Sequence, residues 1–170
     1  MENFCEGVMK PVRRINVHSE RCIGCRVCEQ WCTWQHNGSE EEQSRIYVQR
    51  MHSEYSNLPQ ICHQCVDTPC IEACRFDALC KNETTGSIQV DRKLCTGCRA
   101  CVRKCPYQAI SFDSTQKKVR ICDLCAGEPQ CVRHCPERVL EYNGDAQEGM
   151  PEYPLGLSVG LWSWRGGEAK

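Results

Sequence analysis

Sixteen of the 18 cysteines in this 170-residue chain fall into four groups of four. The first is Cys22, Cys25, Cys28 and Cys32, and the second is Cys62, Cys65, Cys70 and Cys74. The third is Cys95, Cys98, Cys101 and Cys105, and the fourth is Cys122, Cys125, Cys131 and Cys135. Only Cys5 and Cys80 stand outside the pattern. Thiols repeated at two-residue spacing are metal ligands or redox groups before they are anything else, because a thiolate is both a soft ligand and a nucleophile.

A cubane iron-sulfur cluster needs four thiolates converging on four irons. A C-x2-C-x2-C loop can wrap three corners of one cube, while the fourth cysteine, three residues on, lies past a helical turn and reaches the neighbouring cluster. Pro106 and Pro136 directly follow Cys105 and Cys135, as that motif requires, whereas Thr33 and Arg75 stand at the matching places after Cys32 and Cys74. Four groups of three plus one supply ligands for four [4Fe-4S] clusters with none missing. Structural zinc would also use C-x2-C pairs, but it leaves the third cysteines and the fourfold repeat without a purpose. A zinc-stapled interaction module remains the rival reading of the same residues.

Composition points the same way. Cysteine is counted within the 41% hydrophobic residues, so the aliphatic core is thin and must be reinforced by metal, disulfide or partner. Residues 1 to 20 contain no apolar h-region and no small-residue cleavage site, so a cytoplasmic chain is expected and secreted disulfides are not. The most apolar window, Leu155 to Trp162, is far shorter than the ~20 residues a bilayer span needs, so no direct membrane insertion is expected. The formal charge of −1 omits the clusters; at roughly −2 for each oxidised core with its four thiolates, the loaded protein carries roughly −9. Nucleic acid is therefore not an expected partner, and Arg92, Lys93, Arg99, Arg103 and Lys104 read as local compensation for cluster charge or as a solvated face.

The elements that must position these thiols are short. Groups one and three share one design, with Gly24 and Gly97 at the same place in the loop; groups two and four match each other except that four residues separate the second and third cysteine in one and five in the other. The long and short loops alternate twice, which is internal repetition. Strands are predicted at Arg14 to Val17, Arg45 to Val48, Ser87 to Val90, Ala109 to Phe112, Val119 to Cys122 and Val139 to Tyr142. Lys81 to Gly86 and Asp113 to Lys118 should close hairpins, and a helical turn fits between the third and fourth cysteine of each group. Val27 to His36 is the one segment that could form a longer helix. The expected class is α+β, a duplicated bacterial two-cluster ferredoxin-like fold of short hairpins and helices around four cubanes. Residues 1–11 form an extension, 12–143 the cluster domain and 144–170 a docking arm or tail, the last suggested by Tyr153, Trp162 and Trp164 among Gly and Pro.

From Cys22 to Cys135 the pattern resembles the four-cluster polyferredoxin subunits that accompany molybdenum and tungsten pterin enzymes. The segment C-R-V-C-E-Q-W-C-T-W-Q-H at Cys25 to His36, with S-R-I-Y-V at Ser44 to Val48, is similar to the small iron-sulfur subunits of aldehyde oxidoreductases and benzoyl-CoA reductase complexes. The resemblance implies that Cys22, Cys25, Cys28 and Cys135 share one cluster, and Cys32, Cys122, Cys125 and Cys131 the next. Cys62, Cys65, Cys70 and Cys105 would hold a third, and Cys74, Cys95, Cys98 and Cys101 the fourth. It also implies an outer module, 12–50 with 115–143, around an inner one, 55–114. The implied chain is a non-catalytic electron-transfer subunit of a larger W/Mo-pterin catalytic subunit, with a ferredoxin or a flavin- or NAD-linked subunit as a further partner. Alternatives are the iron-sulfur subunit of a dimethyl sulfoxide reductase or formate dehydrogenase type enzyme, and a free soluble polyferredoxin.

Three histidines lie in or beside the motifs, but no cysteine position is vacant, so His36, His63 and His134 are expected in hydrogen-bonding or surface roles. Trp31 and Trp34 are expected to cover a cluster from water.

Overall fold

A computed structural model describes residues 13–36, 44–51 and 57–143. Residues 144–170, with the expected docking arm, and Cys5 lie outside the described residues.

Each cysteine group is flanked by a strand on either side and followed internally by a helix of one or two turns. The order is β1 (Arg14–Val17), α1 (Val27–Gln35), β2 (Tyr47–Arg50), β3 (Asn57–Gln60), α2 (Pro69–Glu72), β4 (Leu79–Lys81), then β5 (Ile88–Val90), α3 (Ala100–Lys104), β6 (Ser111–Asp113), β7 (Lys118–Arg120), α4 (Gln130–Arg133) and β8 (Leu140–Asn143). The sequence β–α–β–β–α–β therefore occurs twice. Every strand belongs to a two-stranded antiparallel ribbon: β1 with β8, β2 with β3, β4 with β5 and β6 with β7. Pairing of Arg14 with Asn143 and of Val17 with Leu140 joins the two ends of the described chain.

Isolated two-stranded ribbons are marginal in water, so these must be held by what packs between them. The buried cluster that does so contains 21 described residues, and eight of them are cysteines. The remainder are mainly Ile and Leu from strand ends, among them Ile15, Ile46, Ile61, Ile88, Ile121 and Leu140. Ile61 and Ile121 sit immediately before Cys62 and Cys122, so the strand that enters groups two and four delivers its first thiol already buried.

Two expectations need correction. β3 and β4 were not anticipated; in β3, Pro59 pairs with Val48 in a two-stranded ribbon, where a proline is tolerated. The expected strand from Arg45 starts instead at Tyr47, and those expected from Ala109 and Val139 start at Ser111 and Leu140. The Val27 to His36 helix forms as expected, with His36 as its C-terminal cap, and both predicted hairpin turns join paired strands. No helix among the described residues is long and apolar enough to cross a membrane.

Candidate metal centre

The four thiol loops share one backbone solution. The residue before the second cysteine is left-handed in every group: Gly24 (φ 72°), Gln64 (φ 51°), Gly97 (φ 71°) and Leu124 (φ 59°). That turn aims the residue's own amide back at the first cysteine, and Cys22, Cys62 and Cys122 accept hydrogen bonds from the N–H of Gly24, Gln64 and Leu124. The third cysteine of each group begins a helix, so its sulphur accepts from the following amide: Glu29 to Cys28, Ile71 to Cys70, Val102 to Cys101 and Val132 to Cys131. Amides aimed at sulphur stabilise thiolate and are a main control of cluster potential.

Helix pairing then brings the groups together. α1 packs on α4, and α2 on α3. Cys28 and Cys32 are four residues apart on α1, one turn or about 6 Å along the axis, so a single helix serves two neighbouring sites.

The thiols report their neighbours electrostatically. Cys28 is pushed up to about 12, first by burial, then by Glu29 and by the thiols of Cys135 and Cys22. Cys131 is raised by burial and then by Cys32, Cys125 and Cys28. Burial also leads at Cys62, where Cys70, Cys65 and Cys105 add to it, and at Cys101, pushed to about 11 with Cys74 and Cys95 contributing. Cys22, Cys25, Cys28 and Cys135 line one surface pocket, and Cys74, Cys95, Cys98 and Cys101 line another. The sets are contiguous, since Cys131 feels Cys28 of one set and Cys122 feels Cys62 of another.

None of the sixteen motif cysteines is joined in a disulfide. Four thiolates this close cannot all ionise unless cations lie between them. The all-sulphur donor sets, the inward amides and the space beside them fit iron-sulfur clusters.

One set has a charged shell that the sequence did not disclose. His36 places Nδ1 2.8 Å from the Cys32 carbonyl oxygen and 3.9 Å from its Sγ, and Nε2 3.0 Å from Asp123. Arg45 pairs with the same carboxylate through Nη1, while its backbone N–H donates to Cys32 Sγ at 3.3 Å. Asp123 Oδ1 also accepts from the Cys125 amide at 3.1 Å. Burial acts to lower the His36 pKa, but its bonds to Asp123, Cys125 and Cys32 prevail and hold it up at about 12. Burial acts upward on Cys32, yet hydrogen bonds from His36, the Arg45 amide and Ser44 prevail, and the thiol is lowered. His36, Asp123 and Cys125 also form a compact donor group, accounted for by this ion pair beside a thiol.

Gln64 was missed as well. Its side chain is fully buried; Nε2 donates to the Cys122 carbonyl at 2.6 Å, and Oε1 accepts from the Ile88 amide at 2.8 Å. It ties group two to group four. The available signal was its place in the repeat, where groups one and three have glycine.

The other aromatic expectations divide. Trp34 is 68% exposed and stacks on Trp31, whose ring lies 3.6 Å from that of His134. His63 stacks on Tyr107 at 3.9 Å and is lowered to about 4 by burial and by Arg14. Cys80, outside the repeat, is buried.

Residues 53–145 match the family described as 4Fe-4S dicluster domain. The chain is 40% identical over 111 residues to the aliphatic sulfonate oxidoreductase, polyferredoxin-like subunit, of Pyrococcus furiosus, covering 65% of this chain and 64% of that one. It is 34% identical over 104 residues to formate hydrogenlyase subunit 2 of Escherichia coli strain K12, covering 61% and 50%. The chain thus spans less than two thirds of either relative. A looser structural overlap, at 21% identity and a TM-score of 0.48, covers 85% of this chain and 83% of a chain in the active site complex BamBC of benzoyl coenzyme A reductase with 1,5-dienoyl-CoA. That score is below the level at which a shared fold follows.

Proposed function

Because the chain belongs to the 4Fe-4S dicluster domain family, we propose that it is a non-catalytic electron-transfer subunit of an oxidoreductase complex, holding four [4Fe-4S] clusters in series. The observation that supports this reading is that Cys22, Cys25, Cys28 and Cys135 line one pocket and Cys74, Cys95, Cys98 and Cys101 another, thiols brought together from different motifs. In this reading Cys22, Cys25, Cys28 and Cys135 hold the first cluster, and Cys32, Cys122, Cys125 and Cys131 the second. Cys62, Cys65, Cys70 and Cys105 hold the third, and Cys74, Cys95, Cys98 and Cys101 the fourth. When bound, such clusters supply one-electron oxidation and reduction.

The chain's own residues set the conditions for that chemistry. Backbone amides at Gly24, Gln64 and Leu124 stabilise the sulphur charge. Buried Ile61 and Ile121, next to buried Cys62 and Cys122, keep the surroundings of those thiols apolar. Gln64 fixes the junction between the second and third sites. The twice-repeated element order supports a duplicated two-cluster ferredoxin, with α1 and α4 in an outer module and α2 and α3 in an inner one.

The partner we propose is a tungsten or molybdenum pterin subunit of aldehyde oxidoreductase type, in the cytoplasm. The resemblance around Cys25 to Val48 and the polyferredoxin-like subunit from Pyrococcus furiosus support it. The similarity to formate hydrogenlyase subunit 2 favours, as a second reading, an iron-sulfur subunit of formate dehydrogenase type. Anaerobic purification of the tagged chain from its host, with tungsten and molybdenum quantified in whatever co-elutes, tests the assignment. A larger companion containing either metal is expected, and stable isolation without a companion would favour a free polyferredoxin.

A further inference from the structure

Gln64 places a polar side chain where the repeat does not call for one. Its counterpart in group four is Leu124, with the same left-handed backbone, φ 59° against 51°, and the same complete burial. Groups one and three have glycine at that position. The loop therefore folds without a side-chain amide, and a buried amide is costly unless both its ends are bonded. Both ends of Gln64 are bonded: Nε2 donates to the Cys122 carbonyl at 2.6 Å, and Oε1 accepts from the Ile88 amide at 2.8 Å. The backbone N–H of the same residue donates to the Cys62 sulphur. One residue thus links a thiol of the third proposed site to the peptide of a thiol of the second, through two hydrogen bonds and its own side chain.

This is the junction that an electron passing along four sites in series must cross. Cys62 and Cys122 are both buried, and each thiol lies within electrostatic reach of the other. A fully satisfied polar network in such a place holds one arrangement. We propose that Gln64 is the positioning residue for the middle electron step, its amide fixing the second site against the third and supplying the bonded path between them. The inference rests on the electron-transfer reading above. One electron leaves one site and enters the other, so one is oxidised as the other is reduced; no bond is made or broken and no proton moves. Electronic coupling falls less steeply along hydrogen-bonded atoms than across a gap, so removing the amide slows this step even where every thiol keeps its place.

The test uses the full-length, cluster-loaded chain under anaerobic conditions, with photoreduced deazaflavin as the electron source. Iron content is measured on every sample. Freeze-quenched electron paramagnetic resonance follows the electron as it settles along the series, and the fully reduced spectrum reads the magnetic interaction across the junction. Signals of the two end clusters are assigned from Cys25→Ser and Cys98→Ser chains. Gln64→Leu installs the side chain that the fold already carries at Leu124, and Gln64→Met keeps the length of the glutamine; both remove the donor and the acceptor. Each should retain full iron, weaken the interaction between the second and third clusters, and slow exchange between them severalfold. Asn57→Ala removes a bond of the same kind at the first site, from Nδ2 to the Cys22 carbonyl at 3.1 Å, and should leave both readouts as in wild type. Wild-type interaction and rate in the two Gln64 variants, or equal losses from Asn57→Ala, overturn the positioning role alone. So does a wild-type chain whose second and third clusters show no magnetic interaction, a result that needs no variant. A wild-type chain that takes no electron from deazaflavin overturns the electron-transfer reading as well.

Discussion

At the scale of single residues, the left-handed position before each second cysteine sets what can be exchanged there. An alanine at either glycine incurs the left-handed cost of about 1–2 kcal/mol. At Gly97 its Cβ would also run into the Lys117 carbonyl oxygen, which is backbone, whereas at Gly24 it meets only the Asn57 side chain, 2.7 Å away. Gly97→Ala should therefore cost more than about 2 kcal/mol and reduce iron content, and Gly24→Ala should be the milder change; denaturant unfolding and iron analysis check both. The shell at Cys32 makes a second prediction. Removing the cationic donor with His36→Ala destabilises the more negative, reduced state, so the midpoint potential of one of the clusters should fall while the others stay fixed. Potentiometric titration followed by electron paramagnetic resonance reads this directly. The thiols were legible in the sequence because their spacing is regular. His36, Arg45 and Asp123 were not, because they meet across up to 87 positions of chain with no shared motif. Gln64 escaped notice because a polar residue in a loop reads as solvent-facing, although here it is buried with both ends of its amide bonded.

At the scale of elements, the β6–β7 turn shows how such short ribbons hold together. Asp113 caps the turn by accepting from the amides of Thr115 and Gln116, each at 2.9 Å, and pairs with buried Arg120 at 3.1 Å. The Gln116 amide leads in holding its carboxyl below the usual range; burial opposes, and Arg120 adds to the lowering. A depressed carboxylate contributes stability above its unfolded pKa of about 3.9 and loses it as the pH falls through the lower folded value. Wild type should therefore lose stability in acid below about pH 4, and Asp113→Asn should remove that part of the slope. Weakening the buried ion pair with Arg120 should cost about 3 kcal/mol at neutral pH, measured by denaturant unfolding at both pH values. Turns such as this one were visible from Asp, Ser, Thr and Lys between β-branched runs. β3, Asn57–Gln60, has no β-branched or aromatic residue to announce it, and the Pro59 it carries is one that a two-stranded ribbon tolerates and a sheet interior excludes.

At the scale of the whole molecule, the sulphurs are both the core and its chemistry. Eight of the 21 residues in the buried cluster are cysteines, leaving little else to drive folding. Thiols raised by burial and by one another gain stabilisation only when metal replaces their protons, so cluster loading and folding should be one process. Stripping iron with acid and chelator should abolish most far-ultraviolet circular dichroism and restore it on anaerobic reconstitution. Cys98→Ala should lose about four irons and destabilise the remainder. Repetition in the chain was readable from the cysteine loops alone, whereas the packing of α1 on α4 and of α2 on α3 follows from strand ends meeting far apart in sequence, as β1 and β8 do.

Two clusters would satisfy the family match over residues 53–145, but four are required if all sixteen motif thiols are ligands. Iron and acid-labile sulfide should therefore be counted on the anaerobically purified chain, with native mass spectrometry on the same sample. The account predicts about sixteen of each per chain and one dominant species carrying four clusters. About eight of each in a fully folded protein, or zinc in place of iron, would contradict it.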